Sequence, residues 1–319
     1  MRIGLIDVDG HSGFPNLALM KLSAWHKAHG DSVEWYEPLF AVEPFDKVYM
    51  SKVFTFSEDY QYPINAQEIV RGGTGYKMYD RNLPDEIEYT FPDYSLYPKY
   101  DFAVGFLTRG CVRKCPWCVV PKKEGWIHAV NTWDKIKRPD SRDIVFLDNN
   151  VLASEHGIAQ IEDMIGKNVR IDFNQAMDAR LVTPEIAEIL SRVKWINGIL
   201  RFACDSSPMI PVVKRAVELL ERNGVKPYRI FVYTLIQDVE ESLNRITEMD
   251  YIGVQPFGQP YRDFNGGEPS EEQKRLARWC NNKAVHRTTT FDNYSNEERR
   301  KYKKGAKDDG TQNRIVYNG

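Results

Sequence analysis

Three of the five cysteines, Cys111, Cys115 and Cys118, fall at a C-x3-C-x2-C spacing within Thr108-Arg109-Gly110-Cys111-Val112-Arg113-Lys114-Cys115-Pro116-Trp117-Cys118. Spacing that tight puts three thiolates on one loop, able to face a common centre. Three sulfur ligands and one vacant position suit an iron–sulfur cluster in which one iron stays open to a non-protein ligand. Gly110 lets the chain leave a strand in a conformation other residues resist, and Arg109, Arg113 and Lys114 offset thiolate and sulfide charge. A structural zinc site would want a fourth ligand and pairwise C-x2-C spacing, borrowing Cys204 or Cys280. Three thiols without any metal are the other alternative.

The elements that must hold this loop follow from apolar patterning. An apolar run at 102–107 leads straight into the cysteines and reads as a buried strand. Further strands are predicted at 144–148, 169–175, 199–205, 229–236 and 251–257. Between them the spacing predicts helices at 154–165, 183–193, 208–223 and 238–249, with a short one around 131–137. Thr183 caps one with Pro184 at its first position, Asp238 caps another, and Gly224 stops a third. Six strands alternating with helices imply parallel pairing with right-handed crossovers. With six strands rather than eight, an incomplete (β/α)6 TIM-like barrel is the natural closure. Chemistry on such a barrel collects at the C-terminal strand ends. There the chain offers the cysteines, then Asp148, Asn149 and Asn150, then Asn174, Gln175, Asp178 and Arg180. Asp205, Ser206 and Ser207 follow, then Gln237 and Asp238, and last Gln255, Gln259, Tyr261 and Arg262.

Ahead of this lies a smaller unit. Strands at 3–8, 33–37 and 47–54, a helix at 15–29 and a second helical stretch at 66–70 ending at Gly72-Gly73-Thr74-Gly75 describe a small open α/β sheet. Leu17, Met20, Ala24 and Ala28 are expected to share one helix face. The expected organisation is a Rossmann-like domain at 1–76, a Pro/Tyr-rich linker without periodic elements at 77–100, the partial barrel at 101–262 and an extension at 263–319. A helix at 269–282 packs through Leu276 and Trp279, and the charged residues after about 293 are expected to be mobile.

The chain has 319 residues, 42% hydrophobic and 28% charged, with a formal charge of −2. No global field points to nucleic acid or membrane, and no apolar segment reaches transmembrane length. The N-terminus enters a strand rather than a signal core, and the cysteines form no disulfide framework. A cytoplasmic location is therefore expected. The basic run at 299–304 reads as a solvated tail.

The cysteine loop resembles the signature of the radical S-adenosylmethionine (SAM) enzymes, C-x3-C-x-aromatic-C, with Trp117 as the aromatic. The resemblance implies that Cys111, Cys115 and Cys118 hold a 4Fe–4S cluster. It further implies that SAM chelates the fourth iron, and that reductive cleavage yields a 5′-deoxyadenosyl radical. An electron donor such as flavodoxin or ferredoxin is then needed. By the same resemblance Asp148, Asn149 and Asn150 stand where the family contacts the SAM amino group, Asn174, Gln175 and Asp205 where it contacts the carboxylate or ribose. Arg180 is a carboxylate partner, and Trp117 lies against the adenine.

Residues 1–76 resemble the cobalamin-binding domain that precedes the barrel in many radical SAM methyltransferases and in relatives that have lost that cofactor. Asp9-Gly10-His11-Ser12-Gly13 resembles the D-x-H-x-x-G cobalt-ligand loop, with its glycine one residue early. Cobalamin is the less favoured option, because a histidine after a strand is more often a loop residue. No cysteine precedes Cys111, which argues against the second cluster of methylthiotransferases. Cys204 and Cys280 read as packing residues. The expectation is a one-cluster enzyme, either a methyltransferase or another hydrogen-abstracting type. Peptide, nucleotide, nucleic-acid base and lipid-like metabolite all stay open as substrates. The competing class is a non-catalytic binding protein stabilised by zinc or a cluster.

Overall fold

The computed structural model describes residues 1–10, 13–263 and 267–294. His11 of the expected cobalt loop, the basic run at 299–304 and the tail expected to be mobile lie outside the described residues. The chain is mixed α/β, built on parallel sheets.

The first sheet runs in the order β2-β1-β3-β4, all parallel, from β1 (Arg2–Asp7), β2 (Ser32–Trp35), β3 (Phe45–Ser51) and β4 (Ala66–Gly72). Helix α1 (Leu17–Ala28) covers one face, where Leu19 and Leu22 pack with Ile3 and Leu5, and Ile6, Phe45, Val48 and Met50 form the other side. The helix starts two residues later than predicted because Asn16 caps it, accepting from Leu19 N at 3.2 Å. Its buried face carries Leu17, Leu19, Met20, Leu22 and His26 rather than Ala24 and Ala28. The segment predicted as a helix at 66–70 is the strand β4. Ala66-Gln67-Glu68 are good helix formers, but propensity is a weak prior and the ladder offered by the open edge of β3 prevails.

The expected linker is not free of structure. It contains α2 (Asp85–Glu88) and is fastened to the first unit by Ser23 and Lys27, both 2.6 Å from Asp93, and by Lys21, 2.9 Å from Glu88. Tyr97 donates to Asp7 at 2.6 Å, while Tyr94 accepts from Val104 N at 3.0 Å.

Beyond it, β5 (Ala103–Gly105) leads into a two-stranded antiparallel ribbon, β6 (Thr108–Arg109) with β7 (His128–Ala129), that brackets the cysteine loop. The short helix α3 (Val120–Lys123) lies within this ribbon, and α4 (Trp133–Ile136) follows it. Then β8 (Asp143–Phe146) and β9 (Arg170–Phe173) join β5 in the parallel order β5-β8-β9. The strands β10 (Leu200–Ala203), β11 (Ile230–Ile236) and β12 (Gln255–Pro260) form the parallel order β10-β11-β12. Parallel bridges from Ile171 to Trp195 and Met177 to Phe202 link β9 to the β10 side. The six strands thus follow one another in chain order.

Helices α5 (Glu155–Met164), α6 (Pro184–Arg192), α7 (Ile210–Arg222) and α8 (Val239–Tyr251) intervene, and one core joins them to the strands through Phe146, Phe173, Phe202, Ile161, Leu190 and Leu220. The caps Thr183 and Asp238 accept from Ile186 N and Glu241 N as their sequence positions predict. The sixth strand was misplaced: Tyr251 closes α8 and Gln255 begins β12 rather than ending it. Past the strands, α9 (Glu271–Asn281) packs Leu276 and Trp279 inward, followed by α10 (Lys283–Thr288). No described helix is long and apolar enough to cross a membrane.

Candidate active site

Strand alternation decides which side chains face the helices and which face the opposite side of the sheet. In β11, Ile230, Val232, Thr234 and Ile236 are buried on the helix side, and the intervening Tyr233 and Leu235 line a cavity of about 1730 Å³. The cavity spans the C-terminal ends of the six strands, and Cys111, Cys115 and Cys118 all line it. The three thiols are free and half-buried. Burial pushes the Cys115 and Cys118 thiols up, so both are held as neutral thiols. Among the described residues no three His, Cys, Asp or Glu side chains converge on one point.

The loop that carries them is held from several sides. Cys111 N donates to Gly125 O at 3.2 Å and Cys118 N to Cys115 O at 3.0 Å. Gly110 has φ +81°, and a Cβ there would sit 2.5 Å from Trp126 O, so the turn admits no side chain. Arg113 reaches across to Asp178 at 2.9 Å, and Arg180 meets the other oxygen of the same carboxylate at 2.7 Å. Burial alone would raise the Asp178 pKa, but the two guanidiniums outweigh it and hold the carboxyl below the usual range. Two donors reach the Cys111 sulfur, Arg113 N at 3.3 Å and Asn150 Nδ2 at 3.4 Å.

Of the residues singled out from sequence, Trp117, Asn149, Asn150, Asn174, Gln175, Arg180 and Asp205 line the cavity with the cysteines. Asp148 does not join them. It is fully buried beneath the loop, where its carboxylate accepts from Leu107 N at 3.0 Å, Thr108 N at 2.6 Å and the Thr108 hydroxyl at 2.7 Å. Burial raises its pKa to about 6 in spite of those bonds. Its position is that of a fastener between the first two strand ends. Asp205 accepts from Leu235 N at 3.2 Å, and burial likewise raises its pKa. Gln237 and Asp238 lie away from this cavity, and Asp238 serves only as the α8 cap. Cys204 and Cys280 are buried, with thiols pushed up to about 12 by that burial.

Sequence reasoning missed Glu124. Its Oε2 accepts from Gly110 N at 2.9 Å and Asn149 Nδ2 at 2.8 Å, and its Oε1 from Arg109 at 3.1 Å. Arg109 in turn meets Glu88 at 3.0 Å, which also takes Lys21, so a charged chain runs from α1 to the residue before the first cysteine. Nothing in local spacing marks these partners. The cavity's far wall was missed as well: Asp7, Asn16, Ser51, Phe54 and Gly73, at the strand ends of the first sheet, face it. Lys123 bridges the two walls through the Thr74 hydroxyl at 2.7 Å.

No protein-family model matches this chain and no curated protein matches its sequence, so the site stands on its own residues.

Proposed function

We propose that this chain is a radical SAM enzyme with one 4Fe–4S cluster, its six strands forming an incomplete (β/α)6 barrel. One observation carries the proposal: three free thiols on the loop after the first of six parallel strands open onto a cavity they share with Asn149, Asn174, Gln175, Arg180 and Asp205. Cys111, Cys115 and Cys118 would hold the cluster, which when bound supplies the electron that cleaves SAM. An orphaned buried atom, Asn150 Oδ1, beside Cys111 fits a site built around a group larger than the thiols alone.

The chain's own residues have distinct tasks. The Arg113–Asp178 pair pins the loop between the first two cysteines to the third strand end. Arg180 spends its Nε on Asp178 and keeps the two terminal nitrogens of its fork for a carboxylate. Asp205 and Asn174 offer acceptors suited to hydroxyls, Trp117 offers a ring face, and Asn149, held by Glu124, offers a carbonyl oxygen. The first sheet's strand ends form the opposite wall, where we place the substrate. A reductant such as flavodoxin or ferredoxin, and the reducing cytoplasm, belong to the same proposal. Cobalamin is left out of it.

Anaerobic reconstitution with iron and sulfide tests the assignment. Wild type should take up about four irons per chain and show a reducible cluster by electron paramagnetic resonance (EPR). Cys111→Ala, Cys115→Ala and Cys118→Ala should each lose it. One tightly bound zinc and no cluster would favour the binding-protein alternative.

A further inference from the structure

Asn150 follows β8 and is only 2% exposed, yet its amide is used on one side alone. Nδ2 donates to the Cys111 sulfur at 3.4 Å, while Oδ1 meets no donor. Among the described residues it is the one side chain that donates to a sulfur of the loop. A buried acceptor left without a partner is costly, and a hydrocarbon of the same size would fill the space without that cost. What the amide supplies and a hydrocarbon does not is an N–H aimed at a sulfur. Hydrogen bonds to cysteine sulfurs favour the more negative, reduced form of an iron–sulfur cluster and raise its potential.

We infer that Asn150 is a positioning residue that makes the cluster on Cys111 easier to reduce, by donating its side-chain N–H to the Cys111 sulfur. The inference rests on the proposed cluster. The backbone donor Arg113 N contacts the same sulfur and does not depend on the side chain at 113, so Asn150 is the half of the pair that a side-chain change adjusts.

Redox titration of the reconstituted protein, followed by EPR, tests it against Asn150→Leu and Asn150→Asp. Leucine keeps the volume and loses the donor. The ratio of reduced to oxidised cluster at a fixed poise should fall roughly tenfold, a shift of about 59 mV for a one-electron couple. Aspartate sets a carboxylate against the sulfur and should lower the ratio further. Equal midpoints in wild type and Asn150→Leu would overturn the inference while leaving the cluster assignment intact. If the variants hold no cluster, wild type decides. With 15N at the asparagine side-chain amide, pulsed EPR of the reduced cluster should show coupling to one nitrogen, and its absence would overturn the inference. A wild-type protein that loads no cluster would remove the proposed function, and this inference with it.

Discussion

Glu124 makes the sharpest claim about how the cysteine loop is held. Its carboxylate is one-tenth exposed and gathers the backbone N–H that precedes Cys111, the Asn149 amide and the Arg109 guanidinium. Glu124→Ala would strand the Gly110 N–H and the Asn149 amide. Unmet buried donors cost about 1–3 kcal/mol each, and the adjoining cavity lets water relieve part of this, so about 3 kcal/mol is expected. Glu124→Gln can keep its oxygen toward Gly110 and Asn149 but turns an N–H against Arg109. It loses one charge-assisted bond of a partly exposed pair, about 1.5 kcal/mol.

Hydrogen exchange read by mass spectrometry on a peptide covering 107–119 measures this locally. At about 1.4 kcal/mol per tenfold, exchange should speed up roughly 100-fold in the alanine variant and roughly tenfold in the glutamine variant. Glu268→Ala, at a 60% exposed carboxylate paired with Arg262, serves as control and should leave the peptide unchanged. Exchange in Glu124→Ala within about twofold of wild type would refute the assignment of Glu124 as the loop's anchor.

Three further outcomes follow from the same geometry. Arg245 is 1% exposed and donates to Cys204 O, Leu235 O and the Ser242 hydroxyl, so Arg245→Met should cost about 3–5 kcal/mol in urea unfolding by leaving those acceptors buried and unmet. Gly110→Ala should fold but load cluster poorly, read as iron per chain after reconstitution, because φ +81° and the Trp126 carbonyl leave no place for a Cβ. Asp148 has a pKa raised to about 6 from 3.8, so its contribution is present in full below the unfolded value and lost as pH rises through 6. Wild type should therefore gain about 2 kcal/mol on Asp148→Asn between pH 7 and pH 4 in paired urea titrations, and a constant difference would contradict it.

What was legible in the sequence was what local chemistry decides. The strands at β8 to β11 are apolar runs set between helices whose caps, Thr183 and Asp238, and stop, Gly224, are written in single residues. Where a segment was short and its neighbours distant, the pattern misled. Residues 66–72 take their conformation from the edge of β3, which no local window contains. At the sixth strand, the apolar Tyr251 and Ile252 close a helix instead of opening a strand. The site divides the same way. Strand-end position brought Asn149, Asn174, Gln175, Arg180 and Asp205 into view. One step of alternation sends Asp148 under the loop while Asn149 reaches the cavity, and the sequence carries no register to separate them. Glu124, and the Lys21–Glu88–Arg109 chain that ties the first unit to the cysteines, depend on contacts 14 to 67 residues apart.

The most direct test of the central claim is 5′-deoxyadenosine formation from SAM by the reconstituted protein under dithionite, without oxygen, beside Cys118→Ala. The proposal predicts deoxyadenosine from wild type and none from the variant. A fully loaded, reducible cluster that binds no SAM and yields no deoxyadenosine would contradict it.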